Sequence, residues 1–251
     1  IGDMKKIITL ILAALMLLVQ IPGAPAAFAA DSSGSSRLVV GSVNPVTGSF
    51  FMDNVFGNIT ADMDVREMLH GYALARWDNN IGNYKVDNTA VDNIVVYEGP
   101  EGNRTYEIEL NRDLRYSDGT KITAWDYAFS ILLSMSPELE AIGGDIDKSD
   151  KILGAKEYRT GESDKLAGVQ VVNDYLFSIT IRAEFLPYFY ELAMISYKPY
   201  PIHVIAPSCS VGSTKNGAYI ENAGLFTAEL LESTLLDPDF GYVSRPSVVS
   251  G

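Results

Sequence analysis

Two histidines, one cysteine and a loose trio of aspartates are the side chains whose types could do chemistry in this sequence. His70 lies in Met68-Leu69-His70-Gly71-Tyr72, and His203 in Pro201-Ile202-His203-Val204. An imidazole works as a general base beside a nucleophile and an orienting acid. Neither histidine has a Ser or Cys in an elbow motif near it, and the chain holds no Gly-x-Ser-x-Gly, no His-Glu-x-x-His and no phosphate-cradling loop. Carboxylate pairs for glycoside chemistry are spatial, so a secreted hydrolase stays open as an alternative function. A lone Cys209 excludes an internal disulfide and a multi-thiolate zinc site, and reads as an inert loop residue. Asp145, Asp147 and Asp150 are spaced loosely like a calcium loop but lack its Gly and distal Glu. They read as a solvated acidic loop, and no metal or cofactor is implied.

The elements that position these residues follow from hydrophobic period. Arg37 to Gly41 is short, β-branched and closed by Gly, the pattern of a buried strand. Ser42 to Gly57 is a loop. A helix follows, capped by Asp62 or Asp64, with Val65, Met68, Leu69 and Tyr72 on its buried face and Arg66 and Glu67 wet. Ile94–Glu98 and Tyr106–Leu110 form a hairpin, the second arm alternating Tyr106, Ile108 and Leu110 with Glu107 and Glu109. Ser117-Asp118-Gly119 is a tight turn in which Gly supplies positive φ. Thr123 caps a helix, with Asp126 in a capping-box position and Trp125, Ala128, Phe129 and Leu132 as its apolar face; Pro137 ends it. Residues 136–163 read as irregular. Val169–Val172 and Tyr175–Ile181 form a second hairpin across Asn173-Asp174. Pro187 starts a short helix, residues 197–207 are a proline-punctuated loop, and the remainder is weakly patterned. Strands separated by helices argue for an α/β class with mixed sheets.

The N-terminus has the form of a secretory leader. Met4-Lys5-Lys6 precede an apolar stretch from Ile7 to Ile21, then Pro22, Gly23, Pro25 and the small-x-small site Ala27-Phe28-Ala29. The stretch is shorter than the roughly 20 apolar residues of a spanning helix. Residues 1–3 precede the natural-looking start, so 1–29 is read as upstream residues plus signal peptide. No Cys follows the site, so the expectation is an exported, soluble protein, periplasmic or extracellular, without a lipid anchor. Of 251 residues, 47% are hydrophobic and 20% charged, with a net charge of -13. Such acidity excludes a phosphate-binding stripe, hence nucleic acid, and gives a mild preference for cationic ligands.

The most specific stretch runs from Thr105 to Ser130: Tyr106-Glu107-Ile108-Glu109-Leu110, Leu114-Arg115-Tyr116-Ser117-Asp118-Gly119, then Thr123-Ala124-Trp125-Asp126. It resembles the signature of bacterial extracellular solute-binding proteins of family 5, the oligopeptide, dipeptide and nickel receptors of ABC importers. That pattern is an alternating strand, Leu-Arg, an aromatic, Ser-Asp-Gly, and Thr-Ala-x-Asp opening a helix; here Asn111 shifts Arg112. Leu166 to Tyr175 resembles the family's second hairpin, and Pro199-Tyr200-Pro201-Ile202-His203-Val204 its Pro-x-Pro-x-His-Val loop. Val249-Ser250-Gly251 stands where its Gly-Thr-Gly-Pro-Tyr motif begins.

The resemblance implies a type II periplasmic-binding-protein-like α/β fold that closes by hinge bending. Its first lobe would begin with residues 30–60, carry an inserted subdomain over 61–161 and continue over 162–251, with the second lobe missing. It implies capture of a solute, peptide foremost, for ABC importer permease subunits in the membrane, with no chemistry on the ligand and a monomer when complete. A nickel, other metal or haem receptor of the same family is the alternative. Such loops open outside strand ends, so Ser42, Val43, Asn44, Thr47, Gly48 and Phe50 are candidate ligand-binding residues, followed by Ile142, Gly143 and Gly144. A chain ending at Gly251 is expected to expose apolar surface and bind peptide poorly.

Overall fold

The computed structural model describes residues 39–251. Residues 42–251 form one unit and 39–41 belong with the preceding segment. The expected leader lies outside the described residues, as do Arg37 and Leu38 of the expected first strand. Val39, Val40 and Gly41 carry no strand, and the two valines are 67% and 78% exposed. β-branched residues favour a strand only where a neighbour completes the ladder, and no described strand pairs with them.

The helix α1 (Thr60–Leu69) and the small hairpin β1 (Ala75–Asp78) and β2 (Asn83–Val86) lead into the main sheet. That sheet contains β3 (Val91–Glu98) and β4 (Arg104–Leu110). The long helix α2 (Ala124–Ser134) and two short ones, α3 (Pro137–Ala141) and α4 (Ala155–Arg159), intervene before β5 (Val169–Asn173) and β6 (Leu176–Ile181). A short α5 (Ile202–Ile205), the hairpin β7 (Ser210–Thr214) and β8 (Gly217–Glu221), and α6 (Ala228–Leu235) complete the unit.

The main sheet has the order β3-β4-β6-β5. Every strand pair among the described residues is antiparallel, so of the mixed sheets expected from the strand and helix alternation only the antiparallel part is present here. The β3–β4 hairpin forms with Val96 opposite Tyr106 and Ile94 opposite Ile108. In β4 the alternation works as read: Tyr106, Ile108 and Leu110 are buried while Glu107 and Glu109 face outward. On its other edge β4 pairs with β6, Ile108 opposite Phe177. Residues 61–161 therefore share a sheet with residues 169–181.

α2 is the core helix. Ala128, Phe129, Ile131, Leu132 and Leu133 are all fully buried, and Tyr127 stacks on Phe177 with ring centroids 5.7 Å apart. Burial extends well beyond the expected stripe because α2 lies between β5 and the β7–β8 hairpin. Its start is fixed as the sequence indicates: the Asp126 carboxylate accepts the Thr123 N–H at 2.8 Å and the Thr123 hydroxyl at 2.9 Å. The Asn173-Asp174 turn docks there too, taking the Ala124 N–H at 2.7 Å and the Trp125 indole N–H at 3.0 Å.

Pro137 does more than end α2. It opens α3, whose N-cap Ser136 accepts the Leu139 N–H at 3.2 Å. Ser136 is fully buried, so Ser136→Ala leaves that amide unpartnered; a loss of about 1 kcal/mol in unfolding free energy is expected by urea titration. The segment read as irregular thus holds α3 and α4, and the weakly patterned remainder holds β7, β8 and α6. Around Pro187 the helix is a 3-10 turn over Glu191–Ile195.

The signature segments converge in space. Asp118 of the Ser-Asp-Gly turn bonds His203 of the proline loop at 3.0 Å, and the Tyr116 ring meets that imidazole edge-on at 5.7 Å. Ser117 exchanges two bonds with Val249, its N–H to the carbonyl at 2.8 Å and the Val249 N–H to its hydroxyl at 3.1 Å.

Candidate functional site

The site is built on the loop before α1. That loop has no sheet ladder, so its backbone groups need other partners. They come from one face of α1. The Asp62 carboxylate accepts the Thr47 N–H at 2.8 Å, the Thr47 hydroxyl, and the Gly48 and Ser49 N–H groups at 3.3 Å. Arg66 donates to the Met52 carbonyl at 2.9 Å and the Gly57 carbonyl at 3.3 Å. His70 meets the Phe50 carbonyl at 2.9 Å through Nε2. A carbonyl only accepts, so Nε2 carries the proton of that ring.

This corrects the expected orientation of α1 at two positions, while Glu67 is exposed as read and Val65, Leu69 and Tyr72 are half-buried. Arg66 is 1% exposed and Met68 is 71% exposed. The helix has no side-chain cap, and Asp62 serves the loop instead of the helix end. A hydrophobic pattern finds the face turned toward apolar side chains; here the facing surface is loop backbone, which rewards hydrogen-bonding groups.

The electrostatics agree. Burial pushes the Asp62 carboxyl up, but the Thr47 hydroxyl and the Thr47, Ser49 and Gly48 amides outweigh it and hold it below the usual carboxylate range. Burial holds His70 down at about 4, so the ring is neutral at pH 7.

Below the pinned segment a cavity of about 390 Å³ opens. Met52, Asp53, Asn54 and Val55 form one wall, and Asp145 to Lys148 with Lys151 the second. Ser196, Tyr197, Lys198 and Tyr200 form the third, over Ser130 and Ser134 of α2. The first two walls are tied by the Asp145 N–H to the Val55 carbonyl at 2.8 Å.

Lys151 is one of several charged groups in the lining. It bonds Asp147 at 2.5 Å and stands 5.6 Å from the centre of the Tyr197 ring. Burial alone would lower its pKa, but Tyr197 and Asp147 outweigh it and raise it. Asp147 is held low by Lys151 against the upward push of burial. Burial lifts Tyr197 to about 12, which leaves a neutral phenol. Lys198 is paired with Glu67 at 2.6 Å. The serines are committed to carbonyls, Ser130 to Asp126 at 2.8 Å, Ser134 to Ile131 at 2.8 Å, and Ser196 to Ala75. Among the described lining residues there is no His or Cys. The arrangement offers a mixed polar and apolar surface for holding a solute of modest size.

None of the candidate residues read from sequence is among those that line this cavity. Ser42, Val43 and Asn44 are exposed, Thr47 and Gly48 are held by Asp62, and Phe50 is half-buried, its N–H on the Val243 carbonyl at 2.8 Å. Ile142 is half-buried, Gly143 exposed and Gly144 buried. The lining begins two residues beyond Phe50 and one beyond Gly144. The third wall carried only a faint signal, a lysine flanked by aromatics in Tyr197-Lys198-Pro199-Tyr200. In the acidic loop, Asp147 is bound to Lys151 and Asp150 to Arg159 at 2.6 Å.

The sequence model described as bacterial extracellular solute-binding proteins, family 5 middle, matches residues 97–226, just over half of the chain. The oligopeptide-binding protein OppA of Lactococcus lactis subsp. lactis (strain IL1403) is 33% identical over 88 residues, 34% of this chain and 14% of that protein. The periplasmic oligopeptide-binding protein OppA of Escherichia coli (strain K12) is 29% identical over 90 residues, 36% of this chain and 16% of that protein. Among solved structures, lactococcal OppA complexed with an endogenous peptide in the closed conformation superimposes with a TM-score of 0.54 at 16% identity, covering 84% of this chain and 34% of that one. A periplasmic oligopeptide-binding protein from Borrelia burgdorferi gives 0.51 at 19% identity, covering 66% and 35%. These likenesses show the fold, a type II periplasmic-binding-protein architecture over the shared part. Among the described residues no helix is long and apolar enough to cross a membrane.

Proposed function

The chain belongs to the bacterial extracellular solute-binding proteins of family 5, and from that premise we propose that it captures peptides outside the cytoplasm and leaves them chemically unaltered. The observation that carries this reading is the cavity bounded by residues 52–55, 145–148 and 196–200, together with relatives whose names record oligopeptide binding. Extended peptides are held mainly through backbone hydrogen bonds, with wet pockets tolerating varied side chains. A wall that mixes carboxylates, ammonium groups, Tyr rings and Met52 suits that task. The loop residues Ser42, Val43, Asn44, Thr47, Gly48 and Phe50, and Ile142, Gly143 and Gly144, are proposed to border the bound peptide. Delivery to the permease subunits of an ABC importer, an exported location, and a first lobe carrying an inserted subdomain over 61–161 are parts of the same proposal.

Calorimetric titration of this chain, and of any longer natural form of it, with short peptides tests the reading, with nickel and haem as comparison ligands. Peptide binding is expected of the longer form and only weakly of this chain, and in the longer form Asp145→Trp, which places an indole at the exposed cavity rim, is expected to weaken it at least tenfold with little change in melting temperature. Peptide hydrolysis by the purified protein, or binding of nickel or haem with no binding of peptide, would overturn it.

A further inference from the structure

Asp62, Arg66 and His70 recur at intervals of four, so they stand in a column on one face of α1 that runs onto its C-cap, His70. Each is fully or almost fully buried. Each bonds the backbone of the preceding loop, at Thr47 to Ser49, at Met52 and Gly57, and at Phe50. Buried charged and polar side chains are costly unless partnered, and a helix meant only to pack would carry apolar residues at these positions. The column also faces the segment that turns directly into the cavity wall at Met52 to Val55.

We infer that Asp62, Arg66 and His70 are positioning residues that set the 47–57 loop in its ligand-facing conformation before any ligand arrives. A loop fixed from outside spares the ligand the cost of ordering it, and affinity rises with the fraction of molecules already competent. The carboxylate does this for the three successive amides of 47–49, the imidazole for the Phe50 carbonyl that follows them, and the guanidinium for the Met52 and Gly57 carbonyls. What the loop is for rests on the peptide-capture reading; how it is held does not.

Amide hydrogen exchange on the peptide-free chain tests the inference. The Thr47, Gly48 and Ser49 amides are expected to exchange at least about tenfold more slowly than freely exposed loop amides. Asp62→Leu keeps the shape of the side chain and removes both acceptors; it is expected to erase that protection while β4 and β6 amides keep their rates. Asp62→Asn retains one acceptor oxygen and is expected to keep part of the protection. Unprotected amides in the parent chain overturn the inference. So does an Asp62→Leu variant with unchanged loop rates, or one in which β4 and β6 speed up equally. If Asp62→Leu does not fold, Asp62→Asn decides: a several-fold rise confined to residues 47–49 supports the inference, and equal rates everywhere overturn it. A longer natural form with a protected loop that binds no peptide would overturn the proposed function and leave this inference standing.

Discussion

Gly217→Ala is expected to cost at least about 4 kcal/mol of stability, enough to unfold much of the population at 37 °C. Gly217 opens β8 with φ at +122°, where a side chain is strained. A Cβ there would stand 2.3 Å from the Leu166 carbonyl oxygen and 2.8 Å from the Ala167 Cα, both backbone atoms with nowhere to go. That approach is tight because the Leu166 N–H bonds the Ala218 carbonyl at 2.8 Å and seats the β7–β8 hairpin against the segment entering β5. Gly212→Ala is the contrasting case. Its Cβ would meet the Tyr219 ring, at 2.5 Å, and a ring can swing aside; a loss of about 1–2 kcal/mol is expected. Urea midpoints of the two variants against the parent check the order and the gap.

Acid is expected to remove about 3 kcal/mol of stability through His70 alone. The folded ring titrates at about 4, against 6.5 for the ordinary group. Between those values the unfolded chain binds the extra proton and the folded chain does not, so unfolding is favoured as pH falls. The contribution is complete above 6.5, shrinks through the window, and is gone below 4. Lys198 and Arg66 add to the depression caused by burial, while the Phe50 carbonyl and Asp53 oppose it, and the Tyr200 and Tyr242 rings pack beside the imidazole. His70→Gln can still donate to Phe50 but does not titrate. Its urea midpoint is therefore expected to change less between pH 7 and pH 4.5 than that of the parent, and equal slopes would remove the argument.

Local elements were legible wherever one face met apolar side chains and the other met water. The period-two run of β4 and the Thr123 start of α2 are of that kind, because alternation and capping are local physics. α1 was placed correctly, with Glu67 outward as read, but Arg66 and Met68 were assigned to the wrong sides. Its apolar stripe pointed to Met68 and away from Arg66, whereas the surface it covers is loop backbone that needs donors and acceptors. β7 and β8 were invisible because Ser210-Val211-Gly212-Ser213-Thr214 has little hydrophobic contrast, and its burial comes from contacts with β5 that sequence does not announce. The cavity itself was not read from the sequence, since none of the candidate residues lines it. Strand-end loop geometry and the implied inserted subdomain drew attention to the segments near 50 and 144, whose sequence neighbours form two walls, but the contribution of 196–200 depends on three stretches of chain meeting across about 150 residues of sequence.

One feature of the main sheet governs the order in which this chain can become a protein. β4 lies between β3, its hairpin neighbour, and β6, about seventy residues later, with Thr105 opposite Thr180. A ribosome adding residues from the N-terminal end leaves β4 with one open edge until Ile181 has been made, while α2, largely apolar, waits for the hairpin that will cover it. Loop closure over that distance is slow compared with forming the β3–β4 hairpin. The main sheet therefore stays open along one edge of β4 until residue 181 has been made, and a nascent chain in that state has an unpaired strand edge to protect.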